Sequence, residues 1–102
     1  MATLLVLYHV PANRTAFDAY YAETHAPLAK QIPGLRSYSI SAGPLGSPAG
    51  TPPYHLVAEL TFDSMDAMQV GLASPQGQAA VADLGNFAQA GVTILSYETR
   101  PA

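Results

Sequence analysis

The pattern of hydrophobic and polar positions predicts four strands and two helical regions. Apolar runs and period-two alternation, which are typical of strands, cover Thr3–Val10, Leu35–Ala42, Tyr54–Phe62 and Val92–Glu98. Helical spacings of three and four residues follow candidate N-caps at Asn13 or Thr15, at Asp63 or Ser64, and at Ser74. The order strand, helix, strand, strand, helix, strand is that of a ferredoxin-like βαββαβ sandwich. We therefore expect residues 1–102 to form one α+β domain, with a four-stranded antiparallel sheet and helices on one of its faces.

The first helix, which is predicted to run to about residue 31, has an aromatic and aliphatic face with one imidazole in its middle. Phe17, Tyr21, His25 and Leu28 follow one another at steps of four, four and three residues, so they share one side of the helix. Pro27 lies inside this segment, where proline removes a backbone donor and clashes with the preceding turn. We therefore expect a kink or a break between His25 and Pro27.

A loop rich in glycine and proline precedes the third strand. Gly43–Pro53 contains three glycines and four prolines in eleven residues, a composition that prevents regular structure. We predict that this loop gates a site at the edge of the sheet. In the strand that follows, alternation places Tyr54 on the apolar face that ends at Phe62, and His55 on the opposite, mixed face.

The composition bears on partners and location. Only 11% of the residues are charged and 49% are hydrophobic, whereas soluble domains are usually about a quarter charged. Such a chain has little charge with which to cover its surface, so we expect a homodimer in which a second copy covers the free face of the sheet. The four basic residues are scattered singly and form no phosphate-binding stripe, so we expect no nucleic acid partner.

The absence of cysteine and the character of the N-terminus limit the chemistry and the location that we expect for the protein. The chain has no cysteine, and this excludes disulfides, thiolate nucleophiles and cysteine-based metal sites. The apolar run near the N-terminus lacks a basic start and is too short for a signal peptide or a membrane span. We therefore expect a cytoplasmic protein with no membrane partner.

Three segments together resemble the EthD family of the dimeric α/β-barrel superfamily. They are YYAETHAPLAKQIPGL at 20–35, YHLVAELTFDSMDAM at 54–68 and SPQGQAAVADLGNF at 74–87, and the His-Ala-Pro-Leu box is the strongest element. The resemblance implies a homodimer whose subunits each hold a pocket between helices and sheet. The name-giving relative belongs to a system that degrades a fuel ether through a cytochrome P450. Other relatives on this barrel include muconolactone isomerases, cofactor-independent monooxygenases and polyketide cyclases, so the fold alone leaves the reaction open.

His25 is the leading candidate for chemistry. Burial in an apolar cleft would lower its pKa and leave a neutral imidazole that can act as a general base. The alternative is a structural histidine that donates to a carbonyl freed near Pro27. Asp83 and Phe87 lie one turn apart on the later helix. Asp83 is either the carboxylate that orients His25, a surface charge, or a partner for an arginine.

The remaining candidates are aromatic. We predict that the substrate-binding residues are Phe17, Tyr21, Tyr8, Tyr38, Tyr54 and Phe87, although ring packing in the core is an alternative role for Tyr21. His9 and His55 could approach each other on neighbouring strands, but no third ligand is evident, so we predict no metal. No glycine-rich phosphate loop or dinucleotide fingerprint is present, and we predict no cofactor.

Two hypotheses on function remain. The first is a small dimeric enzyme of catabolic or polyketide-type metabolism, of isomerase, cyclase or monooxygenase type. It would act without a cofactor on a small apolar or aromatic compound, with His25 as acid–base. The second is a non-catalytic binding or accessory protein for a hydrophobic metabolite in a degradation pathway of the ether/P450 type. An enzyme would need His25 in contact with an open cavity, whereas a binding protein would need only the cavity.

Overall fold

The computed structural model describes residues 1–102 and contains one four-stranded sheet with helices on one face. The strands are β1 (Ala2–His9), β2 (Ser37–Ile40), β3 (Tyr54–Phe62) and β4 (Val92–Glu98). The helices are α1 (Arg14–Tyr20), a π-helix (Tyr21–His25), α2 (Ala26–Ala29), α3 (Met65–Ala73) and α4 (Pro75–Phe87). The strands lie in the order β2-β3-β1-β4, and every neighbouring pair is antiparallel. The predicted ferredoxin-like fold is therefore confirmed.

Local signals in the sequence account for the helix boundaries. Asn13 caps α1 by accepting a hydrogen bond from the backbone of Ala16 at 2.9 Å. Ser64 caps α3 and Ser74 caps α4 in the same way, and Pro75 follows Ser74 at the first position of α4. The edge strand β2 is shorter than the predicted Leu35–Ala42, although backbone hydrogen bonds from Arg36 to Thr61 and from Ser41 to Val57 continue its pairing at both ends.

The core lies between the sheet and the helices. Alternate residues of the two central strands point to the helical layer, and the most deeply buried large side chains are Tyr8, Phe62 and Met68. Burial of a large apolar side chain contributes about 1.5–3 kcal/mol, so these positions hold the layers together. No helix is long and apolar enough to cross a membrane.

The start of β3 differs from the predicted alternation. Tyr8 pairs with Leu56 but His9 pairs with Tyr54, so His55 is an extra residue that forms a β-bulge. The imidazole of His55 therefore packs on the helical side, 5.2 Å from the ring of Phe17, while the ring of Tyr54 contacts His9 at 5.2 Å. The predicted faces of Tyr54 and His55 were wrong, because one inserted residue exchanges the two sides of a strand.

The second face of the sheet has no helical cover. Its apolar residues, assigned by strand register, are Leu5, Leu7, Val57, Leu95 and Tyr97. Leu95 is 51% exposed and Tyr97 is 41% exposed. These five residues, called the free sheet face below, form an apolar surface on β1, β3 and β4.

The backbones of α3 and α4 approach each other closely at Gly71 and Gly77. A Cβ on Gly77 would lie 2.2 Å from the carbonyl oxygen of Gly71, whereas a Cβ on Gly85 in the same helix would meet nothing within 4 Å. We expect Gly77→Ala to lower the free energy of unfolding by about 1–3 kcal/mol, because backbone atoms must move apart. Gly85→Ala is the matched control and should raise it by up to about 1 kcal/mol. Equal effects of the two substitutions in urea denaturation would contradict this packing.

Candidate functional site

The π-helix positions the residues at the centre of the site. The N–H of Ala26 bonds to the carbonyl of Tyr21, five residues earlier, so the turn is one residue wider than an α-turn. Pro27 lacks a backbone N–H and its ring would crowd the carbonyl four residues earlier, and the wider turn relieves this clash. The sequence predicted a kink or break here, but the chain instead continues as helix through a π-turn. Tyr21 and His25 are both buried on the inner side of this turn.

His25 is joined to Asp83 by a buried hydrogen bond. The Nδ1 atom of His25 lies 3.0 Å from Oδ2 of Asp83, and the side chains are only 7% and 6% exposed. Asp83 also accepts hydrogen bonds from the hydroxyl of Tyr20 at 2.6 Å and from Nδ2 of Asn86 at 3.0 Å. Burial opposes ionisation of Asp83, but these hydrogen bonds outweigh it and lower the pKa of the carboxyl. Asp83 is therefore a carboxylate that orients the imidazole.

The partners of His25 define its tautomer. Burial lowers the pKa of His25, and the hydrogen bond and charge of Asp83 offset only part of this effect, so the imidazole is neutral at pH 7. Because Asp83 can only accept, Nδ1 carries the proton. The free lone pair on Nε2 then faces the hydroxyl of Tyr8 at 3.3 Å, and that hydroxyl donates to it. His25 is thus a base whose only proton donor inside the protein is Tyr8.

Tyrosine hydroxyls extend this chain away from the histidine. The rings of Tyr8 and Tyr21 contact each other edge to face at 5.5 Å, and burial raises the pKa of Tyr8. The hydroxyl of Tyr21 forms a hydrogen bond with that of Tyr38. Burial also raises the pKa of Tyr21 and of Tyr38, so all three hydroxyls keep their protons at pH 7. We call the series Asp83, His25, Tyr8, Tyr21 and Tyr38 the relay; hydrogen bonds join its members except Tyr8 and Tyr21, which are in ring contact.

A cavity of about 750 Å³ lies at the tyrosine end of the relay, a volume typical of small-molecule sites, which span roughly 300–1,000 Å³. Its walls come from the first helical segment, β2, the start of β3 and the loop at 43–53. The first helical segment and β2 contribute these residues to the walls: Arg14, Asp18, Tyr21, Ala22, Ala26, Lys30 and Tyr38. The loop contributes Leu45 and Pro52 to the walls, and its gating role stays a prediction. Neither His25 nor Tyr8 lines the cavity. A proton could therefore pass between the imidazole and the cavity only by way of Tyr21 or Tyr38.

The structure divides the six predicted substrate-binding residues into two groups. Tyr21, Tyr38 and Tyr54 line the cavity. Tyr8 lies in the aromatic core, and Phe17 and Phe87 pack in the same core beside a second groove of about 540 Å³ on the other side of α1. The ring of Phe87 lies 4.7 Å from that of His25, so these core rings shield the imidazole from water.

Two partners of Asp83 were not predicted from the sequence. Asn86 is three residues beyond Asp83 on α4, and this helical spacing could have indicated the contact. Tyr20 carries no such signal, because its approach to Asp83 depends on how α1 and α4 pack. Arg14 and Lys30 also line the cavity, although the sequence pattern did not indicate them as site residues.

His9 and His55 lie on opposite faces of the sheet as a result of the β-bulge. Nε2 of His9 lies 3.3 Å from the hydroxyl of Thr93, and Nε2 of His55 lies 2.7 Å from Oδ1 of Asp18. The two histidines therefore do not converge on one site, and no group of three or more His, Asp or Glu side chains is placed to hold a metal ion.

The chain is similar in sequence and in structure to several known proteins. A family model described as the EthD domain matches residues 10–91. An uncharacterised 11.0 kDa protein from the thcB-thcC intergenic region of Rhodococcus erythropolis is 41% identical over 96 residues, which are 93% of this chain and 91% of that protein. The crystal structure of an ethyl tert-butyl ether D (EthD) family protein from Bacillus halodurans matches with a TM-score of 0.89 and 34% identity, over 98% of this chain and 99% of that one.

A more distant match shows the fold alone. A dimeric ferredoxin-like protein of unknown function from Thermobifida fusca has a TM-score of 0.70 at 18% identity, over 96% of this chain and 90% of that one. Fold and site thus define a small ferredoxin-like α+β protein with a cavity between its helices and its sheet. The family match and the two closer relatives show more, and this chain belongs to the EthD family.

The lowered pKa of His25 gives a prediction on stability. Because the pKa in the folded state lies below the usual value of 6.5, the unfolded chain takes up the proton first as the pH falls. The stability contributed by neutral His25 is therefore complete above about pH 6.5 and decreases below it. We expect urea denaturation to show a loss of stability between about pH 7 and pH 5, and a smaller loss for His25→Gln. The same pH dependence in both proteins would contradict the assigned state of the imidazole.

Proposed function

We propose that this protein is a cofactor-independent acid–base enzyme that acts on a small, largely apolar or aromatic compound in the cavity. The observation that carries the proposal is the relay, in which the buried pair of His25 and Asp83 is hydrogen-bonded to Tyr8, and Tyr8 contacts the ring of Tyr21 at the cavity wall. His25 is the base at its inner end and Asp83 positions it. Tyr38 and Tyr21 are the groups that would touch the substrate.

The direction of the hydrogen bonds defines a proton path. Tyr8 donates to Nε2 of His25, and Tyr38 can donate to Tyr21. Between these two pairs, we propose that the hydroxyl of Tyr21 turns to donate to Tyr8, whose ring it contacts. A substrate that gives up a proton from a phenol, or from a carbon next to a carbonyl, would pass it to the oxygen of Tyr38. Each tyrosine proton then moves one place inward, and the last one reaches Nε2. The products of this step are a substrate anion in the cavity and an imidazolium stabilised by Asp83.

A raised tyrosine pKa favours transfer in a concerted manner, because it disfavours a free tyrosinate at any position of the relay. Return of the proton to a different substrate atom would complete an isomerisation or a cyclisation. Such chemistry needs a shielded base and no metal, so the proposal agrees with the predicted absence of a cofactor. The catabolic or polyketide-type pathway, ether degradation included, and the cytoplasmic location stay predictions that rest on the family.

A second candidate function has an observation of its own. Both ring nitrogens of His25 already have partners inside the protein, and the cavity does not reach the ring. The direct contact between His25 and an open cavity that we expected of an enzyme is therefore absent. A histidine in that position also suits a structural role, and the protein would then be a non-catalytic carrier of a hydrophobic compound.

Deuterium exchange separates these two functions without knowledge of the natural substrate. A weak carbon acid such as 2-tetralone exchanges the protons next to its carbonyl with D2O when a base removes them. We expect the protein to accelerate this exchange, and His25→Gln to reduce the acceleration by roughly 10²–10⁴, the usual worth of general acid–base catalysis. Tyr21→Phe should reduce it as well, because it removes the hydroxyl that lies between the cavity and Tyr8 in the relay.

Tyr97→Phe is the control for loss of a tyrosine hydroxyl, since Tyr97 lies on the free sheet face, and it should leave the exchange unchanged. Exchange that is unaffected by His25→Gln would exclude the relay as the catalytic device. Binding of 2-tetralone without any acceleration would favour the carrier.

We also propose that two copies pair through the free sheet face to form a closed barrel. The support is the apolar character of that face and the fold shared with a protein described as dimeric. A stable interface buries roughly 1,200–2,000 Å² in total, which is the scale of one face of a four-stranded sheet.

Light scattering tests the dimer directly. We expect a particle of twice the 10.7 kDa chain mass, and a monomer for Leu95→Lys, because an unpaired charge within the interface is costly to bury. Val70→Lys is the matched control, since Val70 is 70% exposed on α3, and it should remain dimeric. A wild-type particle of the chain mass would refute the proposal.

A further inference from the structure

The few basic residues of the chain are concentrated at the cavity. The chain has four Lys and Arg, and two of them, Arg14 and Lys30, line the cavity wall. Neither takes part in an ion pair, whereas Arg36, which does not line the cavity, is paired with Asp63. A chain that has so little charge therefore places half of its cations, without carboxylate partners, at one site.

The cations lie at the two ends of one helical row. Arg14, Asp18, Ala22, Ala26 and Lys30 follow at steps of four residues and all line the cavity, so they form a ridge along the wall. Two alanines in the middle of this ridge leave room for a ligand. Lys30 is nine residues beyond Tyr21, which is roughly 13 Å along a helix, and its long side chain shortens the gap to the tyrosine hydroxyls. A group bound by Lys30 would place a body of one or two rings against Tyr21 and Tyr38.

The two ends of the ridge differ in net charge. Asp18 is the only acidic residue that lines the cavity, and it lies one turn from Arg14, where it opposes the approach of an anion. The residue that precedes Lys30 on the ridge is Ala26, so no acidic side chain lies one turn from Lys30 there. The helix ends near Lys30, and the partial negative charge of its last carbonyls is worth about half a charge, which is less than the full charge of the ammonium. The Lys30 end is therefore the end that attracts an anion.

From this placement we propose that the ligand of the cavity is an organic anion with an apolar or aromatic body and a carboxylate that pairs with Lys30. Lys30 is exposed and has no carboxylate partner, so its ammonium is free to turn toward a ligand in the cavity. A carboxylate gives it a charge-assisted hydrogen bond, which is stronger than the hydrogen bond that a neutral group of the same shape could offer. The inference rests on the proposed function in that the cavity is the substrate site, and it names the class of substrate.

A pair of probes tests this inference by binding alone. 2-Naphthoate and 2-naphthamide share one ring system and differ in charge, and their dissociation constants can be measured by fluorescence titration at low and high salt. We expect the wild-type protein to bind the carboxylate at least about tenfold more tightly than the amide, because charge-assisted bonds are roughly twice as strong as neutral ones. High salt should reduce this preference.

Two variants locate the cation. Lys30→Met keeps the aliphatic stem and should abolish the preference for 2-naphthoate, whereas Arg14→Met, the matched control, should keep it. Equal affinities of the wild-type protein for the two probes, a preference that survives Lys30→Met, or failure of both probes to bind would each overturn the inference.

The outcome is separable from that of the proposed enzyme. His25→Gln leaves the cavity wall intact, so it should bind 2-naphthoate as the wild type does even though it loses deuterium exchange. A charge preference that depends on Lys30 in a protein without exchange activity would support the anion site and refute the enzyme. Exchange activity in a protein that binds the two probes equally would support the enzyme and refute the anion site.

Discussion

Asp83 is a carboxylate enclosed by protein, and the hydrogen bond that it receives from His25 is the interaction on which the rest of the site depends. A buried charge is tolerated only when donors satisfy it. Tyr20 from α1, His25 from the π-helix and Asn86 from α4 itself supply these donors. One carboxylate therefore fixes how the first helical segment packs against the last helix. Because it also fixes the tautomer of His25, it determines that Tyr8 of β1 donates to the ring, and the helical layer is joined to the sheet by polar contacts.

The same arrangement separates the base from the ligand. A histidine shielded by Phe87 and Tyr8 is protected from water, and its protonation state is set by the interior. Of the relay, only the outer tyrosines meet the cavity, and in the proposed mechanism their hydroxyls pass protons in either direction. No buried side-chain nitrogen or oxygen atom lacks a hydrogen-bond partner. A network that is satisfied in this way specifies one geometry, since loss of any member leaves its neighbours unpaired.

The sequence predicted the fold because the fold depends on regular periodicity, and it offered the pairing of Asp83 with His25 as one of three alternatives. The order of apolar segments specifies a ferredoxin-like sheet, and helical spacing brings Asp83 to the face that meets His25. The failures are at irregular points. The β-bulge at His55 inserts one residue without changing the composition of the strand, so alternation alone assigns the wrong faces to Tyr54 and His55. Pro27 indicates that the helix is disturbed, but whether the result is a kink or a π-turn depends on the packing around it.

The residues that line the cavity were the hardest to predict. The face that carries Phe17, Tyr21 and His25 is continuous in sequence, yet only Tyr21 meets the cavity, and the other two are covered by α4 and by Tyr8. Which residues of an aromatic face are core and which are wall depends on the neighbouring elements. The charged ridge that ends at Lys30 was missed for a different reason, because its lysine reads as an ordinary exposed position.

The protonation pattern of the His25 ring is the most direct test of this account. Nitrogen-15 NMR of the labelled protein distinguishes a neutral ring protonated on Nδ1, a neutral ring protonated on Nε2, and an imidazolium. The account predicts the first of these near pH 7, with Nε2 showing the shift of a hydrogen-bond acceptor and with that signature lost when Tyr8 is replaced by Phe. A ring protonated on Nε2, or an imidazolium at that pH, would mean that His25 cannot accept a proton from Tyr8, and the relay would not exist.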